Sequence, residues 1–231
     1  MKPKIVEVDH PLTLLGGARA RIDDLTLALA LAPTCVAADS GAHLALEAGV
    51  DLAAVIGDMD SLSDAARGKI PVDRIHYIAE QDSTDFDKAL RTVAAPLVVA
   101  VGFTGGQIDH ALAALETLVR RCDRAVVLLG RRDVVFLCPR RFLLPMDADT
   151  RVSLFPMAAV SGTSQGLYWP IDGIRFAPGQ RSGTSNKSTG DIKIEVDAPD
   201  MLCILPRRFI QPVVSMLLAL PETARWPVRA G

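Results

Sequence analysis

Asp58 and Asp60 stand two residues apart in Ile56-Gly57-Asp58-Met59-Asp60-Ser61, directly after an apolar run. In an extended segment that spacing puts both carboxylates on one face. Two such carboxylates repel and shift each other's titration, whereas a hard divalent cation with oxygen ligands converts the repulsion into coordination. The chemistry this suggests is the handling of a magnesium-bound phosphate compound. Further acidic positions share the address: Asp39 follows the apolar run 35–38, and Asp109 follows the run 98–101 and its glycine loop. In Gln81-Asp82-Ser83-Thr84-Asp85-Phe86-Asp87-Lys88, which opens a helical segment, Asp82 or Ser83 is expected to cap the helix. Asp85 is the candidate there for metal or substrate, and Gln81 and Thr84 for polar contacts. The loop Gly102-Phe103-Thr104-Gly105-Gly106-Gln107-Ile108-Asp109-His110 joins a strand to a helix through glycines and can present backbone N–H groups to a phosphate. It is not a Walker A loop, because no GxxxxGK[ST] occurs in it; Gly16-Gly17 is a weaker signal of the same kind.

Positioning these groups requires a series of strands that end on one edge. Up to about residue 137, short aliphatic runs alternate with helical segments, the signature of βαβ units and a parallel sheet. The runs predict strands over 12–15, 35–38, 53–56, 74–78, 98–101, 125–129 and 134–137, and helices over 21–32, 41–48, 64–69, 85–93 and 110–121. In the last of these Leu112, Leu115, Leu118 and Val119 recur at helical spacing and predict one apolar face against the sheet. Every acidic cluster then falls at the carboxyl ends of strands, where open parallel sheets bind ligands.

The composition changes near Arg140. Pro139, Pro145, Pro156, Pro170 and Pro178 interrupt the second part of the chain, which disfavours long helices there. Strict alternation in Ile192-Lys193-Ile194-Glu195-Val196-Asp197 marks a strand with one wet face, as in antiparallel sheets. The expectation is an α/β fold: an N-terminal three-layer parallel-sheet domain over 1–138 and a smaller all-β, sandwich-like domain over 139–231. From Arg207 an apolar helical stretch precedes a Pro/Arg tail.

The remaining composition narrows the partners. A formal net charge of -2 over 231 residues, with no dense basic stripe, does not carry the footprint of a nucleic-acid binder. The apolar stretches 25–33 and 213–220 are too short to span a bilayer, and Met1-Lys2-Pro3-Lys4 is not followed by a long apolar signal region. Cys35, Cys122, Cys138 and Cys203 form no CxxC pair, which argues against a zinc cage and fits buried thiols in a reducing, cytoplasmic setting. His10, His43, His76 and His110 lack metal-ligand spacing.

Taken together, Ala38-Asp39-Ser40-Gly41-Ala42, Ile56-Gly57-Asp58-Met59-Asp60-Ser61-Leu62, Gln81-Asp82-Ser83-Thr84-Asp85-Phe86 and Thr104-Gly105-Gly106-Gln107-Ile108-Asp109-His110 resemble the thiamin pyrophosphokinase family in order and approximate spacing. Gly162-Thr163-Ser164-Gln165-Gly166-Leu167-Tyr168-Trp169-Pro170 and Gly183-Thr184-Ser185-Asn186 are similar to its thiamin-side segments. The resemblance implies transfer of pyrophosphate from ATP to thiamin, with thiamin diphosphate and AMP as products, by a homodimer. It implies that Asp39, Asp58, Asp60 and Asp85 organise magnesium and phosphates, with Asp58, Asp60 and Asp85 as metal ligands. Gln81, Thr84, Thr104, Gly105, Gly106, Gln107 and Asp109 then surround the nucleotide and reacting groups, and Thr184, Ser185 and Asn186 approach thiamin; a carboxylate close to the thiamin hydroxyl can accept its proton, with Asp85 the candidate. Two departures stand out: the family usually has arginine where this chain has Gln107, and glycine where it has Ser40. The alternatives are a pyrophosphokinase for another heterocyclic alcohol such as a hydroxymethylpterin, and a non-catalytic thiamin or nucleotide sensor. A metal-dependent glycosyltransferase using Asp58-Met59-Asp60 as its DxD leaves the other blocks unexplained.

Overall fold

Leu12–Leu15, Ala54–Gly57 and Val98–Val101 are buried at every position. Uninterrupted burial of this kind belongs to strands covered on both faces, as in parallel sheets. The computed structural model describes residues 4–229, so the first three residues of the Met1-Lys2-Pro3-Lys4 reading lie outside it. It is a mixed α/β structure that divides into two compact units, one of residues up to Thr117 with Leu128–Arg131, the other of Leu118–Val127 with residues from Arg132 onward.

The first unit runs β1 (Val6–Glu7), β2 (Leu12–Leu15), α1 (Ile22–Leu31), β3 (Thr34–Ala38), α2 (Ala42–Glu47), β4 (Ala54–Gly57), α3 (Asp64–Arg67), β5 (Ile75–Tyr77), α4 (Asp85–Thr92), β6 (Val93–Ala94), β7 (Val98–Val101) and α5 (Ile108–Arg120). Strands pair in parallel in the order β7-β2-β3-β4-β5, with Leu12 opposite both Thr34 and Val98, while β1 pairs β6 separately. The chain steps outward from β2 to β5 and then returns to place β7 on the other side of β2. That reversal is a topological switch point, where open sheets leave a crevice at the strand carboxyl ends. Gly102, at φ 77, lies there with its Cα so close to Gly16 that a Cβ would stand 2.3 Å from the Gly16 carbonyl oxygen.

After β8 (Val126–Leu129), the second unit holds β9 (Asp133–Leu137), β10 (Arg141–Leu144), β11 (Arg151–Pro156), β12 (Val160–Leu167), β13 (Arg175–Phe176), β14 (Thr184–Val196), β15 (Met201–Pro206) and α6 (Ile210–Ala219). Its pairings are antiparallel: β11 joins β14 and β15, β15 joins β9, and β12 joins β13 and β14. The 13-residue β14 pairs through residues 184–187 with β11 and through 192–195 with β10. With the β12 pairing, one strand thereby takes part in three ladders.

Two sequence expectations change here. The alternating strand starts at Thr184 rather than Ile192, because pairing with β11 recruits a polar stretch that has no apolar period of its own. The face of α5 is also rotated: Ala114, Thr117, Leu118 and Val119 are buried, whereas Leu112 is 56% and Ile108 78% exposed. At 100° per residue Leu112 lies off the stripe centred on Leu118, so its apolar character does not report burial. Among the described residues no helix is long and apolar enough to cross a membrane, and the four cysteines are free and buried.

Gly41 ties the sheet edge to the turn after β3, since a Cβ there would stand 2.1 Å from the Leu15 carbonyl oxygen. Overpacking of this sort costs about 1–3 kcal/mol. Gly41→Ala is expected to lower the urea midpoint of unfolding accordingly, and an unchanged midpoint would show that the edge yields freely.

Candidate active site

Asp39 opens a 3₁₀ turn (Asp39–Gly41) immediately after β3, and Asp58 to Asp60 form the exit of β4. Parallel neighbours in register bring these two exits side by side. Both exits hold a non-glycine residue in the left-handed region, Asp39 at φ 44 and Met59 at φ 60. Such conformations cost on the order of 1–3 kcal/mol each and persist where surrounding packing imposes them. The departure at Ser40 is accommodated, because the positive φ falls on Asp39 and not on Ser40.

One carboxylate oxygen each from Asp39, Asp58 and Asp60 lies within 4.8 Å of the others. Asp39 is 4% exposed, and its Oδ1 is buried without a hydrogen-bond partner. Burial, followed by the charge of Asp85, pushes its carboxyl above the usual value. Asp60 is exposed and accepts the Ser61 hydroxyl at 2.8 Å, while Gln81 Nε2 donates to Asp58 Oδ2 at 3.2 Å. A side chain at Gly57 would put its Cβ 3.1 Å from Asp39 Cβ and 3.2 Å from Asp85 Oδ1, so glycine lets β4 pass between these two carboxylates.

Lys88 is the component that the sequence motifs did not single out. Only 1% exposed, it sets its ammonium 3.1 Å from Asp58 Oδ2 and 3.0 Å from Asp85 Oδ1. A signal for it was present, because Asp85 and Lys88 are an i, i+3 pair on one helical face. Burial raises the Asp58 carboxyl, but the hydrogen bond and charge of Lys88 outweigh it and hold Asp58 below the usual value. Burial likewise lowers Lys88, and its bonds to Asp85 and Asp58 reverse that and raise it. The cap of α4 is Thr84, whose hydroxyl accepts from Asp87 N at 3.3 Å, in place of the expected Asp82 or Ser83. Ser83 instead bonds Glu80 and receives Arg91 Nη2 at 2.9 Å, while Arg91 Nε lies 3.1 Å from the buried Asp87. Arg91 therefore anchors the loop that carries Gln81.

The glycine loop contributes Thr104, half-buried, and Gly105, Gly106, Gln107 and Asp109, all exposed. Asp109 Oδ1 accepts from His110 N at 2.9 Å and is not among the clustered carboxylates. In the second unit Thr184 is half-buried, Ser185 exposed and Asn186 buried at the start of β14. The Asn186 amide clamps Trp169, accepting from its N at 3.2 Å and donating to its O at 2.6 Å. That clamp presents an exposed edge-to-face pair, Tyr168 and Trp169, with centroids 4.7 Å apart.

Removing Lys88 leaves two carboxylates without their buried countercharge, which costs about 3–5 kcal/mol for a broken buried pair. Asp58, held below its ordinary 3.8, contributes stability above that value and loses it as pH falls through the folded value. Lys88, held above 10.5, contributes below that value and loses it as pH rises through the folded value. Lys88→Met is therefore expected to lower the urea midpoint strongly at pH 7 and less at pH 4, where the stranded carboxylates take up protons. An equal loss at both pH values would refute the ion-pair account.

Known proteins resemble this chain in sequence and fold. The family described as thiamin pyrophosphokinase, catalytic domain, matches residues 25–128. A thiamine pyrophosphokinase of Bacillus subtilis is 32% identical over 184 residues, covering 74% of this chain and 86% of that protein. Thiamine pyrophosphokinase 1 of rice is 26% identical over 152 residues, and this match spans 56% of its length. Among solved structures, a thiamin pyrophosphokinase of Geobacillus thermodenitrificans superposes with TM-score 0.69 at 24% identity, covering 85% of this chain and 96% of that one. That of Candida albicans superposes with TM-score 0.74 at 14% identity, covering 89% and 95%, and so shares the fold. By this sequence kinship, and with the aspartates at its strand ends lying inside the matched region, the chain belongs to the thiamin pyrophosphokinase family.

Proposed function

We propose that this chain is a thiamin pyrophosphokinase, transferring the pyrophosphoryl group of ATP to the hydroxyethyl alcohol of thiamin and releasing AMP. The observation that carries the reading is the trio of Asp39, Asp58 and Asp60 oxygens within 4.8 Å at the edge of the parallel sheet. The orphaned, buried Asp39 Oδ1 fits a cation, because a buried acceptor without a donor is otherwise costly. Oxygen-only donors suit magnesium, which Asp39, Asp58 and Asp60 would hold, with Asp85 beside them. Magnesium bound there neutralises charge on the transferring phosphates.

The protein groups do the rest. Lys88 holds Asp58 and Asp85 in place from below. Asp85 is the assigned acceptor of the thiamin hydroxyl proton as the alcohol oxygen bonds to the β-phosphorus and the bond from that phosphorus to the AMP oxygen breaks. Gln81 and Thr84, with backbone donors of Thr104, Gly105, Gly106 and Gln107, are assigned to the nucleotide, and Asp109 to the reacting groups. The second unit is assigned the role of a sandwich-like thiamin-binding and dimerisation domain, with Thr184 and Ser185 toward thiamin beside the Tyr168 and Trp169 pair. The N-terminal domain read from the sequence over 1–138 is assigned the nucleotide and metal. Four free cysteines support a cytoplasmic setting.

Incubation with ATP, magnesium and thiamin, with nucleotides separated by chromatography, is expected to yield AMP in a thiamin-dependent manner. Asp58→Asn is expected to lower that rate by at least about a hundredfold in a folded protein. ADP as the product, or wild-type turnover in Asp58→Asn, would overturn the reading; restored turnover in Gln107→Arg over a weakly active parent would identify Gln107 as a missing phosphate clamp.

The homodimer is part of the same proposal: Thr184, Ser185 and Asn186 of one protomer serve the carboxylate site of its partner. Light scattering during assay is expected to report a dimer, and full activity in a monomer would remove the shared-site arrangement.

A further inference from the structure

His43 joins the two aspartate-bearing exits. It sits on α2, one turn beyond Asp39, and its Nδ1 lies 3.0 Å from the Ser40 carbonyl oxygen. Its Nε2 lies 3.0 Å from the Ser63 hydroxyl and 3.3 Å from the Ser63 backbone nitrogen. The partners determine the roles of both ring nitrogens. A carbonyl only accepts, so Nδ1 carries the proton; a backbone N–H only donates, so Nε2 is the acceptor. The Ser63 hydroxyl has already accepted from Ala66 N at 3.3 Å as the cap of α3, and it points its own proton to His43. The imidazole thus closes a link from Ser40, next to Asp39, to Ser63, three residues beyond Asp60. Both loops contain the left-handed residues Asp39 and Met59, whose conformations need restraint from outside.

We propose that His43 is a positioning residue for the cation site, a crossbeam that holds the Asp39 turn and the Asp58 to Asp60 loop at ligand spacing without touching the ion. The proposal rests on the metal reading given above. The strands that end in the two loops are paired in register only as far as Ala38 and Ile56, and the aspartates lie beyond that point, where His43 bridges the gap. Substituting groups that orient metal ligands weakens metal binding roughly 10–100-fold, and His43 belongs at the lower end because it acts through backbone.

The test is titration with Mn²⁺ alone, followed by electron paramagnetic resonance of the free ion, with circular dichroism to verify folding. Wild type is expected to bind with an affinity that Asp60→Asn abolishes. His43→Ala should bind about tenfold more weakly, and His43→Gln, whose amide oxygen can accept from Ser63, should regain at least half of the loss on a logarithmic scale. If His43→Ala does not fold, His43→Asn keeps the bond to Ser40, loses the reach to Ser63, and should show a similar deficit. Wild-type affinity in the alanine or asparagine variant, or a glutamine variant no better than alanine, would overturn the crossbeam while leaving the metal reading intact. Absence of Mn²⁺ binding by wild type would overturn both.

Discussion

Carboxylates whose oxygens lie within 4.8 Å of one another repel, and burial of Asp39 removes the water that would screen the repulsion. Two like charges 4 Å apart oppose each other by roughly 4 kcal/mol at an effective dielectric near 20, a sizeable share of the stability of a domain. The fold answers with one fixed cation, Lys88. Lys88 compensates Asp58 and Asp85, while Oδ1 of Asp39 stays buried without a hydrogen-bond partner. The arrangement is asymmetric. Asp58 is held below the usual value by the lysine, whereas Asp39 is pushed above it by burial and by Asp85.

The rest of the first unit can be understood as what keeps that repulsive set assembled. Adjacent parallel strands β3 and β4 deliver the two exits to one edge, and the return of the chain across β2 opens the crevice beside them. Gly41 and Gly57 let backbone and carboxylates approach where any side chain would intrude. Thr84 caps α4 so that Lys88 and Asp85 enter from the helix's first turns with fixed rotation. Arg91, bonded to Glu80, Ser83 and Asp87, pins the preceding loop and with it Gln81. These contacts are short-range, and each acts on a different segment, so rigidity at the edge is distributed.

The second unit solves a different problem. A long antiparallel strand, β14, engages three ladders and begins at Thr184, Ser185 and Asn186. Asn186 spends its amide on the backbone of Trp169 and on Lys187 N, leaving the neighbouring Ser185 exposed. The consequence is an aromatic pair presented to solvent on an anchored backbone, with Lys187 over the Tyr168 ring at 4.7 Å. Tyr and Trp offer large contact area at low side-chain entropy cost, which suits a flat heterocycle, the class of ligand the proposed function requires.

Local signals carried much of this into the sequence. Short aliphatic runs separated by helical periods placed β2, β3, β4 and β7 correctly because strand burial on both faces leaves a continuous apolar record. The acidic motifs were legible because Asp58 and Asp60 belong to one exit and their spacing is local. What sequence could not decide was anything that depends on which exits become neighbours. The membership of Asp39 in the trio, the placement of Lys88 beneath Asp58 and the link from His43 to Ser63 all join segments 19 to 30 residues apart in the chain. The exposure of Leu112 and the length of β14 belong to the same class, since a helix's buried face and a polar strand's pairing are set by the surface each meets. Sequence therefore determined the elements and the chemical types at their ends, while tertiary structure alone decided the charge balance, because electrostatic energy depends on distances through space that no local period encodes.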